Sequence, residues 1–147
     1  MTPLSKNFTL EELIYSDTAA RFDIDNTPPA ALMPSLRLLA TKLEFIREDL
    51  YGKPIRIYSG YRCPELNKRV GGSSNSAHMS GLAADFVCPG YGSNAMVAQA
   101  IAESGLEFDQ LILEYGWVHI GFRVGSNRRE IMTKKSAKAP YLKGLHV

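Results

Sequence analysis

Apolar residues recur at three- and four-residue steps through Leu32, Leu36, Leu39, Leu43 and Ile46. That spacing predicts one long amphipathic helix, from about Pro29 to Tyr51, with a single buried stripe. Pro34 is compatible with its first turn, and Gly52 stands where a C-cap glycine belongs. Upstream, Thr9-Leu10-Glu11-Glu12 has the layout of a capping box, with a hydroxyl at the N-cap and Glu at N3. It predicts a short helix to about Tyr15. Residues 16–29 show no period and are expected to be irregular.

The pattern then changes period. Ile55 to Ser59 alternates and reads as a strand ended by Gly60. Pro64 to Val70 reads as a short helix closed by Gly71-Gly72, and Ser73 to Ser76 as a polar loop. Leu82 to Cys88 is apolar around one acid, as in a buried strand. Ser93 is placed to cap a helix over residues 94–103, with Gly105 just past its end. Asp109 to Glu114 and Trp117 to Phe122 predict a hairpin across Tyr115-Gly116, and Arg129 to Lys134 an edge strand. The sum is an α+β fold, with helices packed on one side of a small, mainly antiparallel sheet.

Length adds that the 147 residues suit one domain, 1–147, able to bury its own core, with the core at about 8–122. No apolar run is long enough for a membrane span. The first residues lack the charged-then-apolar order of a secretory signal, so synthesis in the cytoplasm is expected. Cys63 and Cys88 make no disulfide framework and are expected as free thiols. The net charge of +2 hides an asymmetry: the segment 123–147 carries seven basic residues and one acid, Glu130. Such a basic tail is ordinarily a solvated segment, with a polyanion as the alternative. No aromatic interleaving or groove-reading helix points to specific nucleic-acid binding.

Candidate chemistry lies in Ser76-Ala77-His78-Met79-Ser80-Gly81-Leu82-Ala83-Ala84-Asp85, followed by Trp117-Val118-His119-Ile120. His78, Asp85 and His119 offer two imidazoles and a carboxylate, a set suited to one zinc ion with a fourth position left open for water. By spacing alone, two histidines in surface or satisfied core positions remain an equal alternative. The remaining histidine, His146, sits next to the last residue.

Ser76-x-His78-x-x-Gly81-x-Ala83-x-Asp85, together with Ser59-Gly60-Tyr61-Arg62 and Trp117-Val118-His119, resembles peptidase family M15, the zinc D-Ala-D-Ala carboxypeptidases and endolysin peptidases. The match is nearest to a short, phage-associated branch, in which Phe8-Thr9-Leu10-Glu11-Glu12-Leu13 opens the domain. There, Ser16-Asp17-Thr18-Ala19-Ala20-Arg21 leads into Asp25-Asn26-Thr27-Pro28-Pro29. The resemblance implies the D-Ala-D-Ala carboxypeptidase (hedgehog-like) fold and a metallopeptidase that cuts a D-Ala-containing amide bond in peptidoglycan stem peptides. It implies a phage or prophage wall-lytic role, acting on the bacterial wall and possible within a virion, and we expect a monomer. It also implies that Arg62 holds a substrate carboxylate, helped by Ser76. Tyr61 and Trp117 are expected to wall the pocket. A catalytically inactive, zinc-stabilised wall-peptide-binding or virion structural module is the alternative.

The general base comes from the hairpin register. If Tyr115-Gly116 are the turn, Glu114 opposes Trp117, and His119 lies two beyond on the same face. Leu113, Val118 and Ile120 then point into the core. This makes Glu114 the expected base, with Asp109 a distant second. The sequence departs here from relatives whose catalytic acid stands three residues before the last histidine, a position held by Gly116.

Overall fold

The computed structural model describes residues 1–147. Helix α1 (Leu10–Ile14) begins at the expected capping box, with Glu12 N–H donating to Thr9 Oγ1 at 3.2 Å and Thr9 N–H to Glu12 Oε1 at 3.4 Å. A second short helix, α2 (Asp17–Arg21), occupies part of the stretch expected to be irregular. Ser16 Oγ caps it by accepting from Ala19 N–H. One turn leaves no room for an apolar stripe, so hydrophobic periodicity misses it. The long helix arrives in two pieces, a 3-10 turn (Ala30–Leu32) and α3 (Met33–Asp49), with Pro34 in the first turn. Leu36, Leu39, Leu43 and Ile46 are completely buried along its inner face. Helix α4 (Pro64–Arg69) and helix α5 (Asn94–Glu103) form where expected, the latter capped by Ser93.

Six strands, β1 (Arg56–Ser59), β2 (Ala83–Val87), β3 (Gln110–Leu113), β4 (Val118–Gly121), β5 (Glu130–Thr133) and β6 (Leu142–Lys143), form one sheet in the order β1-β2-β4-β3-β5-β6. All pairs are antiparallel except β3–β5. The strand expected at the edge is therefore internal: β5 runs parallel to β3 and is itself covered by β6. The basic segment after Phe122 supplies both.

Because side chains alternate along a strand, the sheet has two distinct faces. Ala84, Phe86, Leu111, Leu113, Val118 and Ile120 join α3 and α5 residues in one hydrophobic cluster. The opposite face presents Asp85, His119, Ile112 and Met132, Cα partners in one row across four strands. Helices cover the first face; loops rim the second. No helix is long and apolar enough to cross a membrane. Cys63 and Cys88 are free thiols, and Cys63 Sγ caps α4.

The turn after β1 packs directly on α1. Tyr61 N–H donates to Leu13 O at 2.8 Å, and a Cβ at Gly60 would overlap that same carbonyl oxygen. Gly60→Ala is therefore expected to destabilise the fold by about 1–3 kcal/mol, the cost of overpacking against rigid backbone. Chemical denaturation measures it; a midpoint equal to wild type would show that the turn yields freely.

Candidate metal and catalytic site

Asp85 and His119 are Cα partners on adjacent strands, so their side chains rise together from the open face. His78 reaches them from a 3-10 turn, Ala77–Ser80, whose first backbone N–H groups are capped by Ser76: His78 N–H donates to Ser76 Oγ at 3.2 Å. Gly81 ends that turn with φ of 71° in the left-handed region, which favours glycine. The chain thereby turns from His78 into β2 within a few residues. The ligating atoms of His78, Asp85 and His119 all lie within 4.8 Å of one another.

The second ring nitrogen of His78 determines what the first can do. His78 Nδ1 lies 2.7 Å from Gly60 O, and a carbonyl only accepts, so Nδ1 carries the proton. Nε2 is left with its lone pair inward, buried, with no hydrogen-bond partner and 3.4 Å from Asp85 Oδ1. His119 Nδ1 lies 2.9 Å from the same oxygen. Lone pairs of a buried imidazole and a carboxylate repel unless a cation or a proton lies between them. The donor set and the orphaned nitrogen thus fit a divalent cation of the zinc type, and the Gly60 carbonyl orients its ligand.

Protonation states agree. Burial pushes the His78 imidazolium down against the opposing pull of Asp85. Burial alone would raise the Asp85 carboxyl, but the neighbouring His78 and His119 rings outweigh it and hold it well below the usual carboxylate range. Neutral imidazole and ionised carboxylate are the forms that bind metal.

The hairpin has the expected register. Leu113 pairs with Val118, Glu114 N–H donates to Trp117 O at 3.0 Å, and Leu113, Val118 and Ile120 enter the core. Glu114 therefore stands on the face of His119, where Trp117 Nε1–H donates to Glu114 Oε2 at 3.2 Å. Burial, and secondarily the Asp85 charge, raise the Glu114 carboxyl above its ordinary value; His119, the indole N–H and Lys134 oppose. Gly116 has φ of 136°, so the turn itself favours glycine there. Asp109 is already engaged, accepting from the Arg128 backbone N–H, Nε and Nη2 at 3.1, 3.0 and 2.9 Å. It also pairs with Arg123.

A cleft of about 1060 Å³ joins Arg62, Ser76, His78, Asp85, Glu114, Trp117 and His119. Arg62 N–H donates to His78 O at 3.1 Å, and its buried Nε has no partner. Burial lowers the Arg62 pKa, with Asp85 and Glu114 pulling the other way. Tyr61 departs from expectation: it is 3% exposed, belongs to the hydrophobic core and does not line the cleft. Beyond the end of β1 the turn sends Tyr61 into the core and leaves Arg62 facing the cleft. His146 lies outside the cluster, bonded through Nε2 to Lys143 O.

Several contributors were not foreseen. Asn26 is buried, donates through Nδ2 to Ile14 O at 2.8 Å and to Tyr61 O at 3.0 Å, and accepts from Cys63 N–H at 2.8 Å. It clamps the Gly60–Cys63 turn that presents both Arg62 and the Gly60 carbonyl. Asn67 Nδ2 donates to Ser73 O and holds the loop before Ser76. Ile112, Met132, Lys134 and Tyr141 line the far side of the cleft. The only trace of Asn26 in the sequence is its place in the Asp25–Pro29 motif. Asn26→Ala strands two carbonyls and an N–H, each costing about 1–3 kcal/mol when buried and unpaired. A loss of at least about 3 kcal/mol is expected in urea unfolding, and an unchanged midpoint would show that the turn holds without it.

Two imidazoles, a carboxylate and a second, semi-buried carboxyl group in one cleft fit the kind of site that metal-dependent hydrolases use. Comparison with known proteins narrows the class. The Peptidase M15 family model matches residues 6–121, and the chain belongs to this family. A zinc D-Ala-D-Ala carboxypeptidase from Streptomyces albus G is 39% identical over 71 residues, covering 48% of this chain and 27% of the relative. The chain thus matches about a quarter of that relative's length.

Proposed function

We propose that the protein is a zinc-dependent peptidase that hydrolyses a D-Ala-containing amide bond in peptidoglycan stem peptides. The observation that carries this reading is the convergence of His78, Asp85 and His119 beside Glu114 in one cleft. Family membership and the likeness to a zinc D-Ala-D-Ala carboxypeptidase support the substrate class. The resemblance to phage-associated relatives supports a lytic role at the bacterial wall, as a lysin or a virion component.

His78 Nε2, an Asp85 oxygen and His119 Nδ1 would hold the metal. A zinc ion there supplies Lewis acidity, which polarises the scissile carbonyl and makes water acidic enough to attack near neutral pH. Glu114 takes the proton of the attacking water and delivers it to the leaving amine. Its raised pKa suits both halves of that exchange, because a weaker acid is a stronger base. Trp117 fixes the carboxylate of Glu114 by its indole N–H. Arg62, planar and without a carboxylate partner, receives a substrate carboxylate. Ser76 acts on His78 by capping the turn that carries it.

Mass spectrometry of purified muropeptides after digestion with zinc-loaded protein tests the reading. New amino termini, or loss of a terminal D-Ala, are expected and name the bond. Unchanged muropeptides that nevertheless bind would favour a non-catalytic wall-peptide module.

A further inference from the structure

The far wall of the cleft comes from the C-terminal segment, beyond the residues matched by the family at 6–121. Three cationic side chains after Phe122 line this cleft: Arg123, Arg128 and Lys134. Both arginines are paired with Asp109, whose single charge they share. Lys134 forms no ion pair. It is partly buried, donates from Nζ to Ala139 O at 2.6 Å and sits 4.4 Å from the centroid of the Tyr141 ring. One of its three donors is used and the ammonium is held in place, so two donors remain for a ligand.

Topology places this charge. Thr133 pairs with Leu113, and Lys134 N–H donates to Leu113 O, so Lys134 follows β5 beside Glu114. Arg62 follows β1, at the other end of the sheet order, and Asp85 and His119 stand between them. The cleft therefore has two cations without a carboxylate partner, one on each side of the His78–Asp85–His119 cluster. The strand that bears His119 is two strand spacings from β5, about 10 Å. An extended peptide advances about 3.4 Å per residue, so that span is about three residues.

We infer that Lys134, backed by Tyr141, is a second anion subsite, which receives a substrate carboxylate about three residues to the acyl side of the scissile bond. The inference rests on the peptidase reading and deepens it. Arg62 takes the carboxylate at the leaving end, and Lys134 selects an acidic peptide over its amidated counterpart. The Tyr141 ring holds the ammonium by a cation–π contact and restricts its rotamers, lowering the ordering cost when the anion binds.

The test uses two synthetic peptides ending in D-Ala-D-Ala, identical except for a free carboxylate or a carboxamide on the acidic residue upstream. Zinc-loaded wild type is expected to show a kcat/KM about 10-fold higher for the carboxylate peptide, expressed in KM, as for one charge-assisted contact. Lys134→Met should bring the ratio to about one, and Lys134→Arg should restore part of it. Equilibrium binding of both peptides to the zinc-loaded Glu114→Ala variant provides a second readout, with the same preference expected and lost on adding Lys134→Met. A preference that survives Lys134→Met, or a wild type indifferent to the carboxylate, overturns the subsite while leaving the peptidase reading intact. Cleavage of neither peptide, with the binding preference present, overturns the D-Ala-D-Ala bond and leaves the subsite standing. A kcat loss equal for both peptides would make Lys134 a partner of Glu114 instead.

Discussion

Replacing His119 with alanine is expected to empty the site of zinc and to lower turnover by about 1,000-fold or more. Metal ions contribute several kcal/mol of charge stabilisation to such reactions, and about 1.4 kcal/mol corresponds to tenfold in rate. His119 is held by β4 in register with Asp85 on β2, so its loss removes one of the three converging ligands. Elemental analysis of the purified variant should fall from about one zinc per chain toward zero. Chelation of wild type should reproduce the loss of activity and lower the melting temperature, because an ion that binds only the folded state stabilises it by mass action. A His119→Ala protein that keeps stoichiometric zinc would remove this residue from the ligand set.

Glu114→Ala should separate chemistry from metal binding. Glu114 is absent from the three-ligand cluster, so zinc content should remain near wild type while kcat falls by about 100- to 10,000-fold, the range of general-base removal. Full activity in this variant would move the base elsewhere. The pH profile offers a second check. Burial raises the Glu114 carboxyl, followed by the Asp85 charge, and a base works only when deprotonated. Activity should therefore fall, on acidification, through a pKa higher than that of an ordinary glutamate. The acid limb should vanish or move in any residual activity of Glu114→Gln. Stability is a separate matter, and a variant that merely unfolds would lose zinc and activity together.

Much of the site was legible in the chain because its parts are local. The Ser76–Asp85 motif contains two ligands, the capping serine and the turn glycine within ten residues, so the short 3-10 turn into β2 brings them together by itself. Hairpin pairing is equally local: two turn residues put Glu114, Trp117 and His119 on one face. The long helix was legible through its leucine stripe, which survives the 3-10 start because burial, not helix type, imposes the spacing.

What escaped the sequence depends on long-range contact. The parallel pairing of β5 with β3, and the capping of β5 by β6, join residues with no shared pattern, so β5 read as an edge. Tyr61 and Arg62 both looked like cleft residues; the packing of Tyr61 into the core assigned the cleft to Arg62 alone. Asn26 bonds residues 12 and 35 positions away. No local rule can announce an amide whose partners are defined by the fold.

The sequence by itself determined the donor chemistry, the order of most elements and the face on which Glu114 lies. These follow from side-chain type and from periods of two or about 3.6 residues, which act over a few neighbours. Only the tertiary structure decided which nitrogen of His78 faces inward, since that depends on the Gly60 carbonyl brought 18 residues back against it. It also decided that the C-terminal strands complete the cleft, because a sheet chooses its neighbours by buried area and backbone hydrogen bonds summed over the whole molecule.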